Sequence, residues 1–440
     1  MKEILLKHNE HWSGKKRDTG ISRVLLPKLI DSLEVKHIVA ISGSRRSGKS
    51  YLFRQIHEYL SDSGISSDNI LKINFEDPYF IHRKDDPKLL EEFYSEYLSL
   101  KNPAGMQYIF LDEIQNIKSW QYWLRDMYDR CDNLKFFVTG SNADMLSVEI
   151  DTHLTGRVIC YENFPFSFLE LLQSIPDCNI EISTLSEKQP LSEVLFNDKE
   201  ILLHYLERAF TFSFFPEVCN LKNDELASDI LNQYFTNVLF KDIIPRFSIR
   251  NSRVVEELAY YLSTNFTSEF SYNKLAKIVS SNENTVKDYI SYFEKAYLFY
   301  VVPFFQYSLK KQLRREKKIY ISDVGLRTAT AFQFSQDSGR YIENLVFNAL
   351  RTRYKNIYYW KSKAGSEIDF LIRHKGTMTA INVCFADNLP DREFVGFTHL
   401  PQENITTIRN VIVSKNISDT VVVDAVEIEV VPIWAFLLTL

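Results

Sequence analysis

The sequence predicts an α/β fold built on a parallel sheet, and three stretches carry that prediction. Ile38-Val-Ala-Ile41 is a short apolar run that opens into Gly43-Ser-Arg-Arg-Ser-Gly48-Lys49-Ser50, and the following residues place Leu52, Ile56 and Leu60 on one helical face. Gln107-Tyr-Ile-Phe-Leu-Asp112-Glu113 is a second apolar run, ending in two carboxylates. Leu134-Lys-Phe-Phe-Val-Thr139-Gly-Ser141-Asn142 is a third, ending in small polar residues. Apolar runs separated by helical periodicity are what strands buried on both faces need, and crossover helices make such a sheet parallel.

The spacing Gly-x-x-x-x-Gly-Lys-Ser between strand and helix is that of a phosphate-binding loop. Its glycines let the backbone curl so that successive N–H groups face an anion. Gly43, Ser44, Arg45, Arg46, Ser47, Gly48, Lys49, Ser50 and Tyr51 are therefore the candidate nucleotide contacts, with Lys49 supplying charge at the terminal phosphates. Ser50 and Asp112 are the candidate Mg²⁺ oxygens, one at the start of the helix and one at the end of a buried strand. Glu113 is placed to polarise the attacking water. Thr139, Ser141 or Asn142 is placed to sense that water or the γ-phosphate. Asn142 is also a natural cap for a helix over the residues after it. Arg157, in Leu154-Thr-Gly-Arg157, is the candidate for a charge given to a neighbouring subunit's γ-phosphate, which implies a homo-oligomer.

Composition narrows the class. A chain of 440 residues with 45% hydrophobic and 25% charged residues is globular and long enough for two to four domains. A net charge of −5 excludes blanket affinity for nucleic acid but leaves room for a local basic face. Five cysteines without a Cys-x-x-Cys pair indicate neither a disulfide framework nor a zinc site and fit a reducing cytoplasm. No apolar stretch reaches the roughly 18 residues of a membrane span. The apolar run from Val430 to Leu440 reads as a buried strand.

Taken in order, residues 21–33 read as a lead-in helix, Ile70 to Asp77 as a strand, Pro87 to Leu100 and Trp120 to Tyr128 as helices, and 175–200 as a polar connection. Ile201 to Phe240 has helical periodicity and is expected to form a lid over the nucleotide. Residues 254–302 hold compact helices with a polar break before Val286, Ile290 and Phe293, the pattern of a helix-turn-helix, with 298–302 and 318–322 as strands of a wing. Between those strands Lys310 to Lys318 holds six basic residues in nine, the one stretch where contact with DNA phosphates is plausible; the alternatives are a solvated surface loop and a protein-binding role for the same fold.

Several motifs together resemble the prokaryotic AAA-type ATPases that carry a C-terminal DUF4143 domain. They are Gly43 to Ser50, Phe110-Leu-Asp-Glu-Ile-Gln115, Val138-Thr-Gly-Ser-Asn142, Leu154 to Arg157, Phe164-Pro-Phe-Ser-Phe-Leu-Glu170, Phe214-Phe-Pro-Glu-Val218, Tyr320-Ile-Ser-Asp-Val-Gly-Leu326 and Arg340-Tyr-Ile-Glu-Asn-Leu-Val346. Ser213 to Pro216 stands where that family tends to have Gly-Gly-Phe-Pro. The resemblance implies ATP and Mg²⁺ as cofactors. The order of the last elements further resembles the restriction-endonuclease-like fold, whose metal site would fall on Glu343 and Asp369. There its Glu-x-Lys pair is replaced by Asn382 and Cys384, so the fold is expected without hydrolysis of DNA.

The resulting expectation is a phosphate-loop ATPase domain (1–172), a linker and helical lid (173–250), a winged-helix domain (251–325) and a restriction-endonuclease-like domain (326–440). ATP binding and hydrolysis would move the C-terminal domains, which would hold DNA or a protein partner. The alternative is an ATP-gated switch with negligible turnover, and a minor alternative is a metal-dependent nuclease.

Overall fold

The computed structural model describes residues 1–143, 154–176, 178, 199–330 and 338–440. The helix expected after Asn142 and nearly all of the polar connection at 175–200 lie outside the described residues. The chain divides into two compact units, Met1–Pro165 with Lys295–Tyr297, and Phe166–Glu294 with Leu298–Leu440.

In the first unit, helices α1 (Lys2–His8) and α2 (Leu26–Asp31) precede β1 (Ile38–Ser42). Then follow α3 (Lys49–Asp62), β2 (Ile70–Asn74), α4 (Leu89–Lys101), β3 (Gln107–Asp112), α5 (Trp120–Arg130), β4 (Leu134–Gly140) and β5 (Val158–Glu162). The five strands form one parallel sheet in the order β2-β3-β4-β1-β5. The lead-in helix is shorter than its periodicity suggested, because Pro27 fixes its first turn and a 3₁₀ turn over Ser32–Glu34 ends it.

Alternation along each strand splits the core into two layers. Val39, Ile41, Phe110 and Phe137 meet Leu52, Phe53, Ile56 and Leu60 of α3, with Phe110 and Phe137 stacked at 4.9 Å. Ile38, Ala40, Ile109, Leu111, Phe136 and Val138 meet Phe93, Trp120 and Leu124 on the other face. β4 is buried throughout, including Lys135, whose ammonium donates to the carbonyls of Ser32, Val35 and His37 at 2.6–2.8 Å. Burial pushes that ammonium down to about 8.

In the second unit, helices span Lys199–Phe212 and Asp224–Asn237, the segment expected as a lid. Helix Ser252–Thr264, β6 (Glu269–Phe270), helices Tyr272–Ile278 and Glu283–Lys295, β7 (Phe299–Pro303) and β8 (Lys317–Ile321) follow. β6, β8 and β7 pair antiparallel in that order. The basic stretch between β7 and β8 is not a plain loop: Leu309–Arg314 is a short helix.

After helix Ser338–Arg353 come β9 (Ile357–Lys361), β10 (Glu367–His374), β11 (Thr377–Cys384), β12 (Arg409–Ser414), β13 (Asp419–Val423) and β14 (Val426–Pro432). They form a mixed sheet in the order β13-β14-β12-β11-β10-β9. The expected C-terminal strand is corrected. The strand stops at Pro432, and Ile433–Leu438 is a buried helix, because proline supplies no ladder N–H but suits the residue before a helix's first turn.

Candidate nucleotide and metal site

The carboxyl ends of β1, β3 and β4 lie side by side, so the sheet order brings the three sequence motifs to one edge. The turn after β1 needs glycine at Gly43, where a Cβ would sit 2.0 Å from the Asn163 carbonyl oxygen, and at Gly48, which has φ +97°. Arg46 takes φ +69° without being glycine.

Two residues outside the motif brace this turn. Asn163 Nδ2 donates to the Ser47 carbonyl (2.8 Å) and to Ser47 Oγ (3.0 Å), and its own N–H donates to the Ser42 carbonyl (2.7 Å). The buried Arg23 guanidinium joins the Ser47 carbonyl (2.7 Å) to that of Phe164 (2.8 Å). Gln55 in turn accepts from the Arg23 N–H and donates to the carbonyls of Thr19 and Ile21.

Ser50 Oγ donates to Asp112 Oδ2 at 2.8 Å. Thr139 Oγ1 donates to the other carboxylate oxygen at 2.5 Å and accepts the Glu113 N–H at 2.9 Å, so β4 fixes the Asp112 carboxylate and the Glu113 backbone just beyond β3. Asp112 and Thr139 are buried. Hydroxyl and carboxylate oxygens meeting at this point are hard donors that fit Mg²⁺ with several of its waters retained.

Lys49 Nζ donates to the carbonyls of Gly43 and Ser44 at 3.0 Å each and lies 3.7 Å from Glu113 Oε1. Glu113 itself sits at φ +54° and hydrogen-bonds to Gln115 Nε2. Burial raises its pKa, opposed by the nearby Lys49 charge. Ser141 accepts from Gln115 Nε2 at 3.3 Å, and Asn142 is buried beside it in sequence. Arg45 pairs with Glu76 at 2.8 Å, while Tyr51 is 41% exposed under the Arg54 guanidinium. Lys49, Ser50, Asp112, Glu113, Thr139 and Ser141 are thus linked in one network.

Arg157 is not part of that network. Its carbonyl accepts from the N–H of Ile38, at the amino end of β1 and away from the phosphate loop. Its guanidinium grips both oxygens of Asp129, at 2.9 and 3.1 Å.

In the second unit Glu343 and Asp369 do converge, but on a lysine. Lys318 Nζ, on β8, lies 2.9 Å from Glu343 Oε1, 2.7 Å from Glu367 Oε1 and 3.3 Å from Asp369 Oδ1. A register shift between Ile368 and Leu371 brackets Asp369, the kind of irregularity that re-aims a side chain. Asn382 serves the backbone, accepting from the Asp369 N–H (3.1 Å) and donating to the carbonyls of Glu367 and Glu393. Burial pushes the Cys384 thiol up to about 11, so it stays neutral. Lys318 is therefore removed from the expected DNA-contacting stretch, since its ammonium is buried and fully engaged. Lys310, Lys311, Arg314 and Arg315 of that stretch are exposed.

The comparisons agree with this architecture. The AAA domain profile matches residues 35–172, a domain of unknown function (DUF8612) matches 203–337, and the domain of unknown function DUF4143 matches 338–436. An uncharacterized protein of Methanocaldococcus jannaschii is 31% identical over 441 residues, covering 96% of this chain and 92% of that protein. Another, from Haemophilus influenzae, is 28% identical over 367 residues, covering 82% of this chain and 85% of its own. Among solved structures, C. elegans PCH-2 is 16% identical, the match covering 61% of this chain and 65% of that chain, at a TM-score of 0.26. The parallel sheet with its phosphate loop, the matched profiles and the full-length relative agree: this chain belongs to the family of AAA-domain proteins that carry a DUF4143 domain at the carboxyl end.

Proposed function

We propose that the chain is a Mg²⁺-dependent ATPase of slow turnover whose nucleotide state moves its C-terminal domains. The observation that carries this reading is the Ser50–Asp112–Thr139–Glu113 chain of hydrogen bonds at one edge of the sheet. The curled loop would bind the polyphosphate, and Lys49 would turn from the Gly43 and Ser44 carbonyls to the terminal phosphate oxygens. Ser50 and Asp112 would hold Mg²⁺, which when bound neutralises charge on the β- and γ-phosphates. Glu113 would orient a water for in-line attack and accept its proton as the γ-phosphate leaves ADP, with Ser141 and Gln115 fixing the carboxylate's direction.

The test is phosphate release with and without Mg²⁺. Lys49→Ala should abolish nucleotide binding. Glu113→Gln should keep binding and lose turnover; turnover at the parent rate in Glu113→Gln overturns the mechanism.

One observation favours a switch over a fast engine. Glu113 is already engaged by Lys49, so its release from that ion pair must precede each catalytic cycle. Single-turnover kinetics slower than nucleotide exchange would favour the switch.

For the second unit, the element order from Ser252 to Ile321 supports a winged-helix reading, with Lys310, Lys311, Arg314 and Arg315 as the cations for DNA phosphate. A protein partner is the alternative, read out as no retention of duplex DNA at low salt. No described helix is long and apolar enough to cross a membrane, and a cytoplasmic homo-oligomer completes the proposal. Lys318 supports the view that the terminal domain cleaves no DNA, because its ammonium stands among the carboxylates where a metal would be held.

A further inference from the structure

The first unit holds a second cavity, of about 200 Å³, between α3, β2 and the segment that follows α1. It is separate from the phosphate loop: none of Gly43 to Ser50 lines it. Phe53 and Phe110 contribute apolar surface, and around them stand Lys72, Arg54, Arg17, His11 and His57.

Lys72 is the anomaly. It lies in the middle of β2, on the strand face shared with Ile70, where the alternation calls for an apolar residue packed under α3. No hydrogen bond or ion pair reaches its ammonium among the described residues. A cation drawn this far into a protein with no ion pair at contact distance is costly, and the attraction it does feel comes from Asp112 on the neighbouring strand, so a counter-charge in the cavity would stabilise it.

Two neighbouring side chains each keep one unsatisfied nitrogen, although the Arg54 guanidinium also donates from Nη1 to the Asp18 carbonyl at 3.1 Å and lies over the Tyr51 ring. Arg54 Nε and His57 Nε2 are buried atoms without a hydrogen-bond partner. His11 and His57 meet edge to face at 4.5 Å, and His11 Nε2 is at 3.1 Å from the Ile70 carbonyl. Of the nearby carboxylates, Asp112 attracts Lys72 but has both oxygens hydrogen-bonded to Ser50 and Thr139, and none on the cavity wall pairs with it. Glu10 is taken by Lys15 (2.9 Å) and Arg17 (2.8 Å), and Glu58 and Asp62 are exposed.

We infer that this cavity is a binding site for a small oxyanion, phosphate or carboxylate, held by Lys72, Arg54 and the His57 imidazole. The volume suits such an ion with a few waters at about 30 Å³ each. Burial lowers the pKa of Lys72, His11 and His57 alike, and the cations lower one another further, a crowding that a bound anion would relieve. Lys72 is also attracted by the Asp112 carboxylate. It pairs with Phe110 in register two positions before Asn74 meets Asp112, so an anion here would be felt at the nucleotide site.

The test uses the full chain with ¹⁵N-labelled histidine, saturated with Mg·ADP so that the phosphate loop is filled, and titrated with inorganic phosphate and separately with succinate. The expected result is a saturable shift of the His11 and His57 ring signals by at least one of the two ions, with half-saturation at millimolar concentration or below. Lys72→Met should weaken that saturation about tenfold or more and Arg54→Gln several-fold, with the signals of histidines outside the cavity unmoved. Phosphate alone shifting the two rings identifies a phosphate source, and succinate alone a carboxylate source. No shift with either ion, or a shift that Lys72→Met leaves intact, overturns the inference. Both results are readable whether or not the chain turns over ATP.

Discussion

Lys318 Nζ lies 2.7 Å from Glu367 Oε1, and the same ammonium reaches Glu343 and Asp369, so one buried cation balances three carboxylates from a helix and a strand. Tyr320 OH adds a hydrogen bond to Glu343 at 2.7 Å. The cluster ties β8 to β10 and to helix Ser338–Arg353.

Removing the cation leaves charges that burial does not tolerate. Lys318→Met should destabilise the chain by about 3–5 kcal/mol, because breaking a buried ion pair from one side costs far more than the pair contributes. Adding Glu343→Gln should restore part of the loss by removing one orphaned charge. Urea unfolding followed by a C-terminal-unit probe such as Trp360 fluorescence checks both; equal stability of Lys318→Met and parent would show that the cluster is not holding the sheet.

Under the proposed mechanism Glu113 should set the acid limb of ATP turnover. Burial raises its folded pKa, so the ionised form needed to orient water is lost at a higher pH than for an exposed glutamate, and the rate should fall as pH drops through that raised value. The Gln115 hydrogen bond favours the charged form. Gln115→Leu should therefore move the limb to still higher pH while leaving the alkaline plateau closer to parent. A pH–rate profile at saturating Mg·ATP is the measurement, and a limb that stays in place in Gln115→Leu counts against Glu113 as the group observed.

The parts of this site that sequence reveals are those whose chemistry is local. Gly43, Gly48, Lys49 and Ser50 sit in one turn, and Asp112 ends one apolar run, so strand, loop and helix could be read directly. What was missed is held by distant contacts. Arg23 and Asn163 brace the loop from 24 and 116 residues away from Ser47. Only the position of Asn163 ahead of the Phe164-Pro165 motif offered a signal. Strand β5 (Val158–Glu162) was missed although Val158 to Tyr161 is an apolar run, because it is a half-exposed edge strand and no turn motif follows it to mark its end. Lys318 was read as a surface cation because five basic neighbours surround it; alternation along Lys318, Tyr320 and Ser322 against a buried face was the signal to the contrary. Pro432 likewise marked the end of the last strand that apolarity alone extended to Leu440.

Arg157 should act, if the chain works as an oligomer, on the neighbouring subunit's nucleotide and not its own. Arg157→Ala should then lower turnover by about 10³-fold. Mixing it with Lys49→Ala chains should recover activity, because the latter supply an intact Arg157 to intact phosphate loops. Asp129→Asn separates this from a structural role, since it removes the carboxylate that now holds Arg157. Turnover lost equally in Asp129→Asn, with no recovery on mixing, would assign Arg157 to the Asp129 contact alone.

Duplex DNA binding should depend on four exposed cations. Lys310, Lys311, Arg314 and Arg315 lie on and just after a short helix, and Arg315 also covers the Phe304 ring at 4.6 Å. Each cation that neutralises a phosphate steepens the fall of log K with log salt by about 0.9. Replacing Lys310 and Lys311 by glutamine should therefore weaken binding at low salt and flatten that slope by about 2, equally for unrelated sequences. Lys317→Gln should matter less, because the Lys317 ammonium is turned back onto the carbonyls of Leu313 and Arg315 at 3.4 and 3.1 Å. Fluorescence anisotropy of a labelled duplex across a salt series measures the slopes. An unchanged slope in the Lys310/Lys311 variant would move the phosphate contacts off this helix, and no binding by the parent at low salt would favour a protein partner.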